Sequence, residues 1–309
     1  MYLTKKRQTF AKLKEDYELY LFLIVPMLLI FLFHYIPMVG IVLSFEDYSI
    51  SGGVLGSRWV GLWQFKRFFS SYDFDRIIYN TISLSFYGLV ASFPIPIVFA
   101  LLLNAIPMQR YRKVIQTVTY MPHFISTVVI VGVLFQIFNA RIGVYGIIGK
   151  RLTGSMPPDI LAEPEAFRHL YVWSGVWKST GWNSIIYFAA LSSVDKELHE
   201  AAEIDGATRF QRMLHIDLPC ILPTASIMLI MAAGGIMSVG FEKVYLMQNN
   251  MNISTSEVIS TYVYKVGLVS GGGDFSFGSA IGIFNSVTNF ALMMFVNFIC
   301  KKLGGSSLW

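Results

Sequence analysis

The sequence predicts an all-α integral membrane protein with six transmembrane helices and both termini in the cytoplasm, and three observations predict it. The chain of 309 residues is 54% hydrophobic and only 14% charged, with a mean hydropathy of +0.56, whereas a soluble domain carries roughly 25% charged residues. Apolar runs reach the ~20 residues that a helix needs to cross a bilayer at six places, about 19–43, 81–103, 115–138, 170–191, 221–247 and 277–299. Lys and Arg are densest in alternate connections, the pattern of cytoplasmic loops. The runs form a single domain over 1–309, without repeat or linker.

The N-terminal arm holds Lys5, Lys6, Arg7, Lys12 and Lys14. The run behind it is too long for a signal-peptide core and no small-residue cleavage site follows, so the arm reads as cytoplasmic. Residues 10–20 read as a short amphipathic surface helix with Phe10, Leu13 and Tyr17 on one face. Pro26, Pro37, Pro94, Pro96 and Pro122 fall inside the first three runs. Each removes a backbone donor, and neighbouring helices can satisfy the freed carbonyls, so these prolines predict kinks. The fourth run carries Trp173, Trp177, Trp182 and Tyr187, as packing and interface anchors or as a surface for stacking sugar rings. "GSAIG" at 278–282 predicts close helix packing in the sixth. Arg110, Arg112 and Lys113, then Lys196, Arg209 and Arg212, then Lys301 and Lys302 complete the cytoplasmic set. The connections at 44–80, 139–169 and 248–276 are external. "VSGGGDF" in the last of these is a flexible turn.

Several chemistries lack their residues. The net charge of +5 is small and no basic–aromatic interleaving suggests nucleic acid. Cys220 and Cys300, at the ends of apolar runs, make no disulfide framework. The nearest approach to a phosphate-cradling loop, "VYGIIGKR", has Val144 for the first glycine and Arg151 for Ser/Thr beside Gly149 and Lys150, and reads as an external loop with a glycine turn. No residue group has metal-ligand spacing. Ionisable residues at membrane depth are few: His34, Lys178 about two turns into the fourth run, and Glu242 and Lys243 near the outer end of the fifth. Too few acids line up for a proton relay, which counts against an ion-coupled secondary transporter. A polytopic membrane enzyme has no catalytic cluster behind it.

The polar stretch between the fourth and fifth runs is "EAAEIDGATRFQRMLHIDLP", 200–219. Asp195 can cap a helix starting at Lys196, with Glu197 in its first turn. Leu198, Ala201, Ala202 and Asp205 fall on one side. Gly206 can take the left-handed geometry that ends a helix. A second helix is expected from Ala207 to Ile216, after which Leu218–Pro219 turns the chain into the fifth run. Two short helices tied to two spans suit the transmission of force from a cytoplasmic partner.

This loop, 192–219, resembles the EAA motif of binding-protein-dependent ABC importer permeases. Glu200, Ala201 and Ala202 are followed by three residues to Gly206, nine to Ile216, and one to Leu218 and Pro219, and Asp205 and Ala207 complete "DGA". The resemblance covers nearly the whole chain. "NTISLSFYGLVASFPIPIVFALLLN" and the ending "GGSSLW" are similar to the carbohydrate-uptake branch, within it the multi-sugar and polysaccharide permeases of Gram-positive bacteria. Lys196 and His199 depart from the proline and tyrosine usual there. The resemblance implies a type I ABC importer permease fold in the bacterial cytoplasmic membrane. It implies as partners a second permease, usually a different chain, an ATPase dimer and an extracellular solute-binding lipoprotein that delivers oligosaccharide. ATP and Mg²⁺ would sit on the ATPase, with no cofactor bound by this chain and no enzymatic activity of its own. Glu200, Ala201, Ala202, Asp205, Gly206, Ile216, Leu218 and Pro219 would couple to the ATPase. By position in the family, the substrate path would run past Gly181, Trp182, Asn183, Ser184 and Tyr187, then Ala233, Met237, Gly240, Phe241 and Glu242. A non-sugar solute remains the alternative within the class.

Overall fold

The computed structural model describes residues 17–302, and these are mostly helical. The basic arm before Tyr17, most of the expected surface helix at 10–20 and the "GGSSLW" ending lie outside the described residues. Helix α1, Tyr17–Phe45, is 29 residues long. It passes through a π-helical turn at Phe31–Tyr35 and a 3₁₀ stretch at Ile36–Phe45 that starts beside Pro37. Beyond α1, β1 (Glu46–Asp47) pairs antiparallel with β2 (Arg58–Trp59), and α2 (Trp63–Phe69) follows. Helices α3 (Phe74–Ser92) and α4 (Pro94–Asn104) form one apolar rod with a break at Phe93. Pro94 and Pro96 lack the N–H groups that would bond Val90 and Ser92, so the break falls just before them.

Next come α5 (Gln109–Tyr120), a 3₁₀ turn at Met121–Phe124 and α6 (Thr127–Ile137). The chain bends by 99° between them, so the kink expected of Pro122 in the run over 115–138 is a full break of the span. Pro122 lies in the turn, and the Ser126 side chain accepts from Val129 N–H to start α6 afresh. Helix α7 (Val144–Thr153) corrects another expectation: "VYGIIGKR" is helical and ends at Gly154 in the left-handed region.

Helix α8 (Pro164–Leu191) runs unbroken for 28 residues. It packs on α3, α4 and α5 and carries Lys178 and Asn183 along its length. Helix α9 (Lys196–Ile204) leads to α10, Arg209–Ala233. The fifth run does not continue as one helix to Met247. It unwinds at Gly234–Gly240 and resumes as α11 (Phe241–Met247). The unwound backbone finds its partner on α13 (Phe275–Lys302). Asn289 accepts from Met237 N–H at 2.8 Å and donates to Ser238 Oγ at 2.9 Å, which is how a non-helical stretch is satisfied at membrane depth.

After a turn at Ile253–Ser256 comes α12 (Ile259–Tyr264). It is held by Glu257, whose carboxylate accepts from Arg76 at 2.5 Å and lies 3.2 Å from Lys265 Nζ. Gly271, Gly272 and Gly273, all at positive φ, make the turn into α13. Gly278 abuts Gly267 so closely that a Cβ would lie 3.4 Å from its Cα, the tight packing that "GSAIG" implied.

Among the described residues four helices are long and apolar enough to cross a membrane: α1, the α3–α4 rod, α10 and α13. The bent pair α5–α6 would make a fifth. Helix α8 has the length and falls short in apolarity. Cys220 and Cys300 are both free thiols.

Candidate transport cavity and coupling loop

Two polar regions lie on this helical frame. The first is the loop between α8 and α10. Asp195 accepts from Glu197 N–H at 3.0 Å and starts α9. Gly206 stands at φ 78°. Its N–H bonds Glu203 O and the Ala207 N–H reaches back to Ala202 O at 2.9 Å. These two bonds form a Schellman stop, and its left-handed residue is favoured as glycine. Thr208 and Gln211 then form a capping box. Arg212 bonds Glu203 at 2.7 Å, and His199 Nε2 lies 3.2 Å from the buried Asp217 carboxylate. Asn104 donates weakly to the same oxygen at 3.5 Å. One flank of α9 is thus fastened to α10 and α4. Glu200, Ala201, Asp205, Leu198 and Ile204 stay exposed.

The separate second helix and the turn at Leu218–Pro219 are not present. Thr208 opens α10 itself, and the chain passes Ile216, Leu218 and Pro219 without a bend, through a π-helical turn at Met213–Asp217. Pro219 sits at the second position of the following α-helical segment. The π turn ahead of it relieves the clash that an interior proline would cause.

The second region is a chain of cavities along α8. One, about 470 Å³, is lined by Gly88, Ser92, Thr127, Tyr171, Gly175, Lys178, Ser179, Gly240, Phe241, Glu242 and Lys243 among others. A neighbour of about 250 Å³ shares Gly88, Ser92, Tyr171 and Gly240. A third of about 120 Å³ shares Ser92 and reaches Asn183, Tyr187 and Met228. On α8 the lining follows Tyr171, Gly175, Ser179, Asn183 and Tyr187, steps of four on one face. The proline break between α3 and α4 supplies the opposite wall.

Of the expected path residues, Gly240, Phe241 and Glu242 line the large cavity, and Asn183 and Tyr187 line the small one. The others lie elsewhere. Gly181 is packed against the α5–α6 bend, where a Cβ would overlap the Thr119 carbonyl. Trp182 stacks on His123, centroids 4.4 Å apart and planes 3° from parallel. Ser184 is buried and donates to Gly181 O at 2.6 Å. Ala233 and Met237 are buried in the core. Trp173 and Trp177 line an apolar groove against α6, and Trp173 donates to Tyr87 Oη at 2.8 Å. The tryptophans therefore do not assemble one stacking surface. Residue-by-residue reading missed Tyr171, Gly175, Ser179 and Ser92 on the cavity wall. Stepping back from Asn183 in fours would have found the first three.

Lys178 and Lys243 differ from their expected places. Lys178 is the fifteenth residue of α8, and Glu242 and Lys243 face the cavity rather than an outer rim. Lys243 Nζ donates to Tyr171 O at 2.6 Å and lies 4.6 Å from that ring's centroid. Gly175 leaves room for it, since a Cβ there would stand 3.4 Å from the ammonium.

Comparison with known proteins fits this geometry. Residues 92–304 match the family of binding-protein-dependent transport system inner membrane components. The chain belongs to that family. It is 41% identical over 299 residues to Protein LplB of Bacillus subtilis (strain 168), covering 97% of this chain and 93% of that one. It is 38% identical over 307 residues to the polygalacturonan/rhamnogalacturonan transport system permease protein YteP of the same organism, covering 99% and 94%. Among solved structures it resembles a chain of a bacterial ABC transporter involved in import of the acidic polysaccharide alginate, with TM-score 0.86 and 35% identity over 96% of this chain and 99% of that one. The same transporter, in complex with a periplasmic protein bound to an alginate pentasaccharide, gives TM-score 0.87. The permease is a membrane transport subunit with the type I ABC permease fold.

Proposed function

We propose that this permease takes up oligosaccharides or glycan fragments that an extracellular binding protein delivers, and that ATP hydrolysed on a separate subunit drives the uptake. The chain crosses the bacterial cytoplasmic membrane six times with both termini inside. α8 is one crossing, enclosed by the others, and α10 with its unwound extension and α11 is another. It pairs with a second, different permease and rests on an ATPase dimer. That dimer holds the ATP and Mg²⁺, and this chain binds no cofactor.

The observation that carries the reading is the mechanical continuity of the coupling loop with the cavity. α9 offers Glu200, Ala201 and Asp205 to a partner, while Gly206, the Arg212–Glu203 pair and His199–Asp217 bind it to the start of α10. Helix α10 runs from there for 25 residues to the unwound segment that borders the cavity. A push on α9 is therefore delivered along a rod to Gly240, Phe241 and Glu242. Ala202, Ile216, Leu218 and Pro219 shape the junction. The substrates named for YteP and the alginate transporter support a carbohydrate cargo.

Gly206→Val tests the coupling. A Cβ at Gly206 meets no atom within 4 Å, so the cost is the left-handed backbone alone, about 1–2 kcal/mol. The expected result is loss of ATP-driven uptake, with the chain still inserted and the complex still hydrolysing ATP at its basal rate. Wild-type uptake by this variant would remove the coupling role from α9.

A further inference from the structure

The large cavity holds two cationic side chains, Lys178 and Lys243, that no carboxylate among the described residues pairs with. Lys178 sits far from both ends of its helix. It lies about 20 Å from either end of α8 at 1.5 Å per residue, and a lysine stem spans only about 6 Å of such a distance. Among the described residues its side chain donates to Thr127 Oγ1 at 3.5 Å. Lys243 spends one donor on Tyr171 O and keeps two. The ammonium of Lys243 rests over Gly175, one helical turn from Lys178 on α8, so the two charges share one wall. Charges at membrane depth are costly and persist where they serve a pathway.

We infer that Lys178 and Lys243 form a binding site for a carboxylate of the transported molecule, and that the cargo is an acidic oligosaccharide rich in uronic acid. This rests on the oligosaccharide reading above and names the substrate class. Like charges on one wall repel until an anion arrives between them, and a carboxylate offers two oxygens to two ammonium groups. Glu242 lines the same cavity outside ion-pair distance of either lysine, where it can accept from sugar hydroxyls. Ser92, Thr127 and Ser179 add hydroxyls, and Phe241 adds a flat apolar face. About 470 Å³ lies within the range of small-molecule sites.

The test uses the complete transporter in proteoliposomes: both permeases, the ATPase and the binding protein. Labelled trimers of galacturonate and of mannuronate are compared with their carboxyl-reduced, neutral counterparts. Wild type is expected to take up at least one acidic trimer and not its reduced form. Lys178→Met and Lys243→Met should each lower that uptake at least tenfold, while the loaded binding protein still stimulates ATP hydrolysis. Lys178→Arg and Lys243→Arg should restore part of it. Keeping that stimulation separates loss of the carboxylate site from misfolding and from selection by the binding protein. Uptake of neutral trimers alone, or acidic uptake indifferent to both lysines, overturns the carboxylate site and leaves the sugar importer standing. No uptake of any trimer, with no stimulation by the binding protein, overturns the oligosaccharide reading and this inference with it.

Discussion

The coupling loop and the transport cavity are built by opposite means. Between Asp195 and Gln211 nearly every structural signal is local: a cap two residues from its donor, a glycine at the helix stop, a capping box spanning three residues. The cavity has no local signal of that kind. Its walls come from the α3–α4 break, from α6, from one face of α8 and from α11, and the last takes its place because Asn289, some fifty residues downstream, holds the unwound strand. A loop made locally can dock on a partner as a rigid piece. A site made from four separate elements changes shape whenever those elements move, which is what a transport site must do.

That contrast can be broken most forcefully at Gly181. If the cavity depends on long-range packing, one side chain placed between α8 and the α5–α6 bend should damage it. A Cβ at Gly181 meets backbone, the Thr119 carbonyl, and the Tyr120 ring at 3.0 Å. Overpacking of this kind costs about 1–3 kcal/mol. Gly181→Val is expected to lower the melting temperature of the purified complex and to abolish uptake, although the residue lines none of the cavities described. A variant with unchanged melting and uptake would mean that the bend moves independently of α8.

A smaller effect is expected at Asp217. Its carboxylate is 6% exposed as a residue and joins α9, through His199, to α10. Asp217→Ala removes both the His199 contact and the acceptor of Asn104. The loop's own caps remain, so α9 should still fold and still bind the ATPase. Pull-down of the ATPase should therefore be preserved, while uptake per ATP hydrolysed falls several-fold. Loss of ATPase binding would show that the loop is less self-contained than its local signals suggest.

The same contrast governs what could be read in advance. Asp195 and Gly206 were legible because capping and left-handed stops depend on a few neighbouring residues. The kinks were legible as prolines, and Pro94 and Pro122 do stand beside breaks. Three features escaped. The fifth run looks continuous, since Gly234, Gly235 and Gly240 permit unwinding but only Asn289 makes it tolerable, and that pairing is tertiary. The second loop helix looked separate because Pro219 resembles a stop. The π turn at Met213–Asp217 absorbs it instead. Trp182 looked like a sugar platform from its neighbours in sequence, and its ring is committed to His123.

The finest test of the comparison is Asn183. With Tyr187 it is one of two α8 residues that were expected on the path and also line a cavity, the small one that Ser92 borders. That cavity joins the large one through Ser92, so Asn183 can offer its amide to a sugar moving away from Lys178. Among the described residues it makes no hydrogen bond that holds α8 to another element, in contrast to Asn289. Asn183→Ala should then leave folding and basal ATP hydrolysis untouched. Loss of one hydrogen bond to substrate is worth about 1 kcal/mol, which corresponds to a roughly fivefold rise in the KM for uptake at unchanged maximal rate. A fall in maximal rate with KM unchanged would instead assign Asn183 to the motion of α8, and the cavity's inner end would lose its claim to touch the cargo.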